Sequence, residues 1–109
     1  MKILCLCEQG VNRSTTLATI LKNRNIKDGQ AVDDILVAGC LANTSETLKM
    51  LGGWADKVLV VDQLTADRVK GIISNDKVIL IDVGPDKWGY LHHGQLQNLI
   101  CVKLAEVGF

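Results

Sequence analysis

The residues best suited to do chemistry fall in one short stretch, Cys7-Glu8-Gln9-Gly10-Val11-Asn12-Arg13-Ser14. A cysteine, five intervening residues, an arginine and then a serine form an arrangement for holding a tetrahedral dianion over a sulfur. Consecutive backbone N–H groups in a tight strand-to-helix loop curl around such an anion. A helix that starts at the serine adds a partial positive charge at the same point. Gly10 relaxes the steric limits where the curl needs a left-handed residue. Arg13 offers a planar fork that grips two oxygens at once, which a lysine does not. Cys7 then lies at the floor of the cradle, in a field that favours the thiolate over the thiol. Ser14 is placed to donate its hydroxyl to that sulfur and improve it as a leaving group. On this reading Glu8, Gln9, Gly10, Val11, Asn12, Arg13 and Ser14 bind a phosphate and Cys7 attacks it. The plainer alternative is a buried cysteine with a solvated arginine. The mid-loop glycine, the cysteine closing a strand and the arginine preceding a helix speak against it.

The segment Asp82-Val83-Gly84-Pro85-Asp86-Lys87-Trp88-Gly89-Tyr90 carries the second set of candidates. Cleavage of an aryl phosphate expels a phenolate whose conjugate acid has a pKa of about 10. A carboxylic acid that protonates the departing oxygen lowers this barrier, and its carboxylate then activates the hydrolytic water. Asp86 fits that role. Asp82 competes with it, although a residue right at a strand's end serves equally to cap or hydrogen-bond the loop. Trp88 and Tyr90 are expected to wall the entrance and stack on a phenyl ring. The alternative for Trp88 is a place in the core.

The elements that must position these groups are legible from the apolar pattern. Residues 2–7 are a short apolar run with strand character. Leu17, Ile20 and Leu21 then recur at helical spacing until Lys22, Asn23 and Arg24 close the pattern. Residues 35–38 read as a buried second strand ended by Gly39. Asn43 with Glu46 resembles a capping box, opening a helix through Leu48 and Leu51 that should stop at Gly52-Gly53. Residues 57–61 read as a third strand. Asp62 is placed to cap the next helix, with Val69, Ile72 and Ile73 on its inner face. Residues 78–81 read as a fourth strand, and Leu96, Leu99, Ile100, Leu104 and Val107 carry the last helix.

Strands alternating with helices, and strands apolar throughout, predict a parallel sheet covered on both faces with right-handed crossovers. The expectation is an α/β three-layer sandwich with a four-stranded parallel sheet, one domain over residues 1–109. Ligands in such folds bind beyond the carboxyl ends of the strands, where 7–14 and 82–90 lie.

Composition narrows the function classes. The chain has 109 residues, 48% hydrophobic and 22% charged, with 12 basic and 12 acidic side chains. That balance excludes a long nucleic-acid footprint, which needs a basic stripe, and leaves room for one local cationic pocket. A membrane span needs about 18 consecutive apolar residues, and no such run is present. The apolar start is too short for a signal-peptide core, so a cytoplasmic location is the expectation. The cysteines at 5, 7, 40 and 101 have no disulfide spacing and read as free thiols. Cys5 and Cys101 read as core residues. Cys40 is placed to resolve an oxidised Cys7 or simply to pack. His92 and His93 lack partners at metal-ligand spacing and read as a solvated helix start, so neither metal nor organic cofactor is expected.

The first stretch resembles the phosphate loop of the protein tyrosine phosphatases, Cys-x5-Arg-(Ser/Thr). With the cysteine on the first strand, the chain resembles the low-molecular-weight protein tyrosine phosphatases; other phosphatase classes place the loop mid-chain. Element order matches over nearly the whole length, while motif-level likeness covers the two loops and Ala55-Asp56-Lys57-Val58. Asp86 resembles the aspartate of that family's Asp-Pro-(Tyr/Phe) loop, with Lys87 in place of proline and Trp88 in place of the aromatic residue. The family commonly has asparagine at the position of Gly10 and a second cysteine at the position of Asn12, so a disulfide within the loop is unavailable. The resemblance implies hydrolysis of a phosphorylated substrate, a phosphotyrosine protein or small aryl phosphate, through a cysteinyl-phosphate. Three alternatives stay open. One is a phosphocarrier resembling the cysteine-phosphorylated B component of a sugar phosphotransferase system, which typically lacks the arginine. The others are an arsenate reductase, which needs resolving thiols, and a phosphate-binding module without chemistry.

Overall fold

The chain runs through β1 (Lys2–Cys7), α1 (Arg13–Arg24), β2 (Ile26–Lys27), β3 (Gln30–Ala31), β4 (Asp34–Gly39), α2 (Ser45–Trp54), β5 (Lys57–Val60), α3 (Gln63–Arg68), a 3-10 turn (Asn75–Lys77), β6 (Val78–Leu80) and α4 (Gly94–Glu106). This computed structural model describes residues 1–9, 12–24, 26–27, 30–31, 33–85, 87–88 and 92–109, with backbone alone at 26, 27, 30 and 31. The main sheet has the order β4-β1-β5-β6 with every pairing parallel. Helices cover both faces, as the apolar pattern predicts. β2 and β3 form a separate antiparallel hairpin; strands of two residues each gave no strand signal.

β1 lies at the centre because five of its six residues, Ile3 to Cys7, are buried. Its side chains alternate between two cores. Ile3, Cys5 and Cys7 join Leu17 and Leu21 of α1 and Leu96, Ile100 and Leu104 of α4. Leu4 and Leu6 join Leu48 of α2 with Val58, Val60, Val69 and Ile73 on the other face. Each such aliphatic side chain, fully buried, contributes about 1.5–3 kcal/mol.

The strand order fixes where a ligand binds. From β1 the chain moves to β4 on one side, then returns to β5 on the other. The direction of winding reverses at β1, and a crevice opens there beyond the carboxyl ends of the strands. Cys7, in register with Gly39, is the last residue of β1 and stands at that crevice.

Three local expectations are corrected. The N-cap of α2 is Thr44, whose hydroxyl accepts the Thr47 amide at 3.2 Å, rather than Asn43, whose side-chain amide turns back to the Gly39 carbonyl at 2.8 Å. α2 runs through both glycines to Trp54. A Cβ on Gly52 would come within 2.7 Å of Ile73, so this glycine permits close approach of the next segment instead of ending the helix. α3 has only six residues, and Val69 is its C-cap. Val69 and Ile73 reach the core from the turn that follows, where Gly71 has a φ of +79°.

Candidate active site

The cysteine and serine singled out by spacing meet in space. Cys7 ends β1 and Ser14 lies in the first turn of α1. The Cys7 Sγ and Ser14 Oγ are 3.0 Å apart and buried. The start of the intervening loop is held against the neighbouring strand end. The Cys7 carbonyl accepts the Cys40 amide and the Glu8 carbonyl accepts the Leu41 amide, both at 2.8 Å. At the other end, the Asn12 carbonyl accepts the Thr16 amide at 3.0 Å, making the first turn of α1. Gln9 is described and exposed; Gly10 and Val11 lie outside the described residues. α1 therefore presents its N-terminus, with its partial positive charge, at the sulfur.

Arg13, the first residue of α1, is only 1% exposed. Its Nη1 donates to Asp62 Oδ2 at 2.5 Å and to the Gly84 carbonyl at 2.7 Å, which uses both hydrogens of that nitrogen. Its Nε is buried and has no hydrogen-bond partner among the described residues. Nη1 is thus anchored, while the buried Nε is left to donate to a further oxygen. A buried donor left unpaired costs about 1–3 kcal/mol, which an arriving oxyanion removes.

Asp62 does more than the helix capping expected of it. Oδ1 accepts the Thr65 amide at 2.7 Å and caps α3, while Oδ2 binds Arg13. Burial opposes charge on this carboxyl. The Thr65 hydroxyl and amide and the Arg13 guanidinium together outweigh that cost and hold its pKa below the usual carboxylate value. The Thr65 hydroxyl is fully buried and close by without reaching full hydrogen-bond geometry. The signal for this double role was faint: an aspartate at the end of the third strand, on the same sheet edge as the loop.

The second sequence segment converges on the first. A cavity of about 290 Å³ is lined by Glu8, Asp62, Gln63, Leu64, Asp82, Gly84 and Pro85. Asp82 is exposed and its Oδ1 accepts the Gly84 amide at 3.0 Å. Gly84, with φ +74°, takes a left-handed conformation that favours glycine at the point where its carbonyl meets Arg13. Further along, the His92 amide donates to the Thr16 hydroxyl of α1 at 3.2 Å. The segment from 84 to 92 is therefore tied to α1 at both ends. Asp86 and Tyr90, expected as acid and entrance wall, lie outside the described residues. Trp88 takes the core position given as its alternative. It is 8% exposed and packs edge-on against His93, with the Lys87 ammonium over its ring. His93 is the N-cap of α4, its Nδ1 accepting the Gln95 amide at 3.2 Å, so it is built into the helix start.

The remaining thiols are separated from Cys7 by place or by chemistry. Burial pushes the Cys5 thiol up to about 12, against a smaller opposing pull from Lys22. Cys40 packs in the core on the opposite face of the sheet from Cys7, and burial raises its pKa as well. Cys101 is exposed on α4.

No protein-family model and no curated protein sequence matches the chain. Solved structures do. YwlE arginine phosphatase from Geobacillus stearothermophilus has 18% identity over 97% of this chain and 91% of that one, with a TM-score of 0.64. A low-molecular-weight protein tyrosine phosphatase from Bacillus subtilis has 16% identity over all of both chains, with a TM-score of 0.68. The tyrosine phosphatase Wzb from Escherichia coli, solved with phosphate, has 16% identity over 97% and 94%, with a TM-score of 0.68. The chain has the fold of the low-molecular-weight protein tyrosine phosphatases over nearly its whole length.

Proposed function

We propose that the protein is a cysteine-dependent phosphohydrolase of phosphotyrosine type that works through a cysteinyl-phosphate. The observation that carries this reading is the buried Arg13, its Nη1 anchored by Asp62 and Gly84 and its Nε without a partner among the described residues, close to a Cys7–Ser14 pair at the N-terminus of α1. A buried guanidinium with a donor to spare is a receptor for an oxyanion. The fold shared with solved tyrosine and arginine phosphatases supports the same chemistry.

In the first step the Cys7 thiolate attacks phosphorus in line. The phosphorus–oxygen bond of the ester breaks, and its electron pair goes to the leaving oxygen, which takes a proton from Asp86. Arg13 and the amides of residues 8–14 stabilise the equatorial oxygens. In the second step water attacks phosphorus, Asp86 takes its proton, and the phosphorus–sulfur pair returns to Cys7 while the Ser14 hydroxyl donates to the sulfur. The hydrogen bonds of Gly84 and His92, on either side of Asp86 in the sequence, to Arg13 and Thr16 of α1 support Asp86 as the acid. A nucleophilic thiol implies a reducing compartment, in keeping with the cytoplasm.

The test is turnover of p-nitrophenyl phosphate by the wild type and by Cys7→Ser and Arg13→Lys. The wild type should turn over, Cys7→Ser should be silent, and Arg13→Lys should lose about 100-fold or more in kcat/KM. Turnover that survives in Cys7→Ser rejects the mechanism. Stable phosphorylation of Cys7 without turnover identifies a phosphocarrier instead.

A further inference from the structure

Two points of the chain, one on each side of Asp86 in sequence, are held by α1, and both have left-handed backbone. Gly84 has φ +74°, and its carbonyl accepts from Arg13 Nη1 at 2.7 Å. His92 has φ +58°, the one positive value outside glycine among the described residues, and its amide donates to the Thr16 hydroxyl at 3.2 Å. Arg13 and Thr16 are three residues apart in α1, so they are neighbours on the helix surface. Both are buried.

The backbone at His92 is not one that its own Cβ favours. Such a residue is strained and persists only where its surroundings over-determine it. At His92 they do so on both sides of the residue. Thr16 accepts the amide, and the Gln97 side-chain amide of α4 donates to the His92 carbonyl at 2.6 Å. Threonine hydroxyls within helices ordinarily turn back on the preceding turn, as Thr19 does in donating to the Thr15 carbonyl at 2.9 Å. Thr16 is fully buried, and its hydroxyl accepts from a residue 76 positions away. Valine would fill the same space without the oxygen, so packing alone does not call for a threonine there.

Resting on the phosphatase reading above, we propose that Thr16 is a positioning residue for protonation of the leaving group. Thr16 fixes His92 as Arg13 fixes Gly84, and Asp86 lies between those two points in sequence. α1 thereby serves both halves of the reaction. Its first residue grips the oxyanion, and the next turn of the same face sets the acid. The step affected is the one in which the breaking phosphorus–oxygen bond gives its electron pair to the leaving oxygen and that oxygen takes the proton of Asp86. Misplacing the acid has a signature that a general loss of structure does not share. The phenolate of phenyl phosphate has a conjugate acid of pKa about 10 and needs the proton. The p-nitrophenolate is a much weaker base and departs with little help.

The experiment measures kcat/KM on phenyl phosphate and p-nitrophenyl phosphate for the wild type, Thr16→Val, Thr16→Ser, Asp86→Asn, the Thr16→Val/Asp86→Asn double variant and Cys7→Ser. Thr16→Val should lose about tenfold on phenyl phosphate, part of the roughly 100-fold or more that a general acid supplies, and less than about threefold on p-nitrophenyl phosphate. Thr16→Ser restores the acceptor and should return phenyl phosphate turnover towards the wild type. Asp86→Asn should show the same leaving-group pattern more strongly, and Thr16→Val added to it should cost nothing further. Gln97→Leu releases the His92 carbonyl from the half-buried side of α4 and should repeat the Thr16→Val pattern, which covers a Thr16→Val protein that fails to fold. Loss on both substrates alike, loss on neither, or a Thr16→Val effect that persists in full in Asp86→Asn overturns the inference and leaves the phosphatase reading standing. A wild type that turns over neither substrate, or turnover that survives in Cys7→Ser, removes the phosphatase reading and this inference with it.

Discussion

Arg13 Nη1 and Asp62 Oδ2, 49 positions apart in sequence, meet at 2.5 Å with their side chains 1% and 9% exposed. The pair joins α1, which follows β1, to the N-cap of α3, which follows β5. It also fixes the orientation of the guanidinium, because it holds Nη1 and leaves Nε without a partner among the described residues. Asp62→Asn keeps the cap on Thr65 and removes the charge. It should cost on the order of 3 kcal/mol in urea unfolding, since it strands a buried cation, and kcat/KM on p-nitrophenyl phosphate should fall through loss of kcat. A variant with wild-type stability and activity would show that the pair orients nothing.

The same pair sets an acid limit. The folded-state pKa of Asp62 lies below its ordinary value of 3.8. Its contribution to stability is therefore fully present above about pH 4 and is lost as the pH falls through the folded value. The difference in unfolding free energy between wild type and Asp62→Asn should be constant from neutral pH down to about 5 and shrink below about 4. Urea titrations across that range check it. A gap that instead narrows on going from pH 5 to pH 8 would contradict the assignment.

Two adjacent glycines of α2 should respond in opposite directions. Gly53 has nothing within 4 Å of an added Cβ, so Gly53→Ala should stabilise the protein by up to about 1 kcal/mol through helix propensity. Gly52→Ala drives a methyl to 2.7 Å from the buried, β-branched Ile73. Overpacking of this kind costs about 1–3 kcal/mol, which exceeds the propensity gain. Thermal melts of the two variants make the comparison.

The thiols should separate by reactivity in the native protein. Cys101 is exposed and should alkylate readily with iodoacetamide at pH 8, whereas Cys5, with its thiol pushed up to about 12, should stay silent until the protein unfolds. In a Cys101→Ser background, inorganic phosphate should protect Cys7 from whatever alkylation it undergoes. Peptide mapping of the modified sites checks both statements.

Much of this arrangement could be read from the chain. The four main strands show as apolar runs: β1 and β5 are buried on both faces, β4 keeps its apolar run although Leu36 is exposed, and β6 is half-buried. The Cys7, Arg13 and Ser14 cluster shows because the groups that share an anion are local in sequence. What depended on the fold did not show. Asp62 looked like a cap and no more, since its partnership with Arg13 exists only once β1 and β5 lie side by side. The stop expected at Gly52-Gly53 failed because Gly52 answers to Ile73, another long-range contact. The long third helix expected through Ile73 ends at Arg68, with a left-handed Gly71 turning the chain and tertiary packing still burying Val69 and Ile73. Trp88 satisfied its aromatic surface in the core rather than at the entrance.

The most direct measurement is acid quench of the enzyme mixed with excess p-nitrophenyl phosphate in the first turnover, followed by mass spectrometry of its peptides. The account predicts a burst of p-nitrophenol matched by one phosphoryl group on the peptide that contains Cys7, absent in Cys7→Ser. Turnover with no phosphoryl group on that peptide, or a phosphoryl group on any other residue, contradicts it.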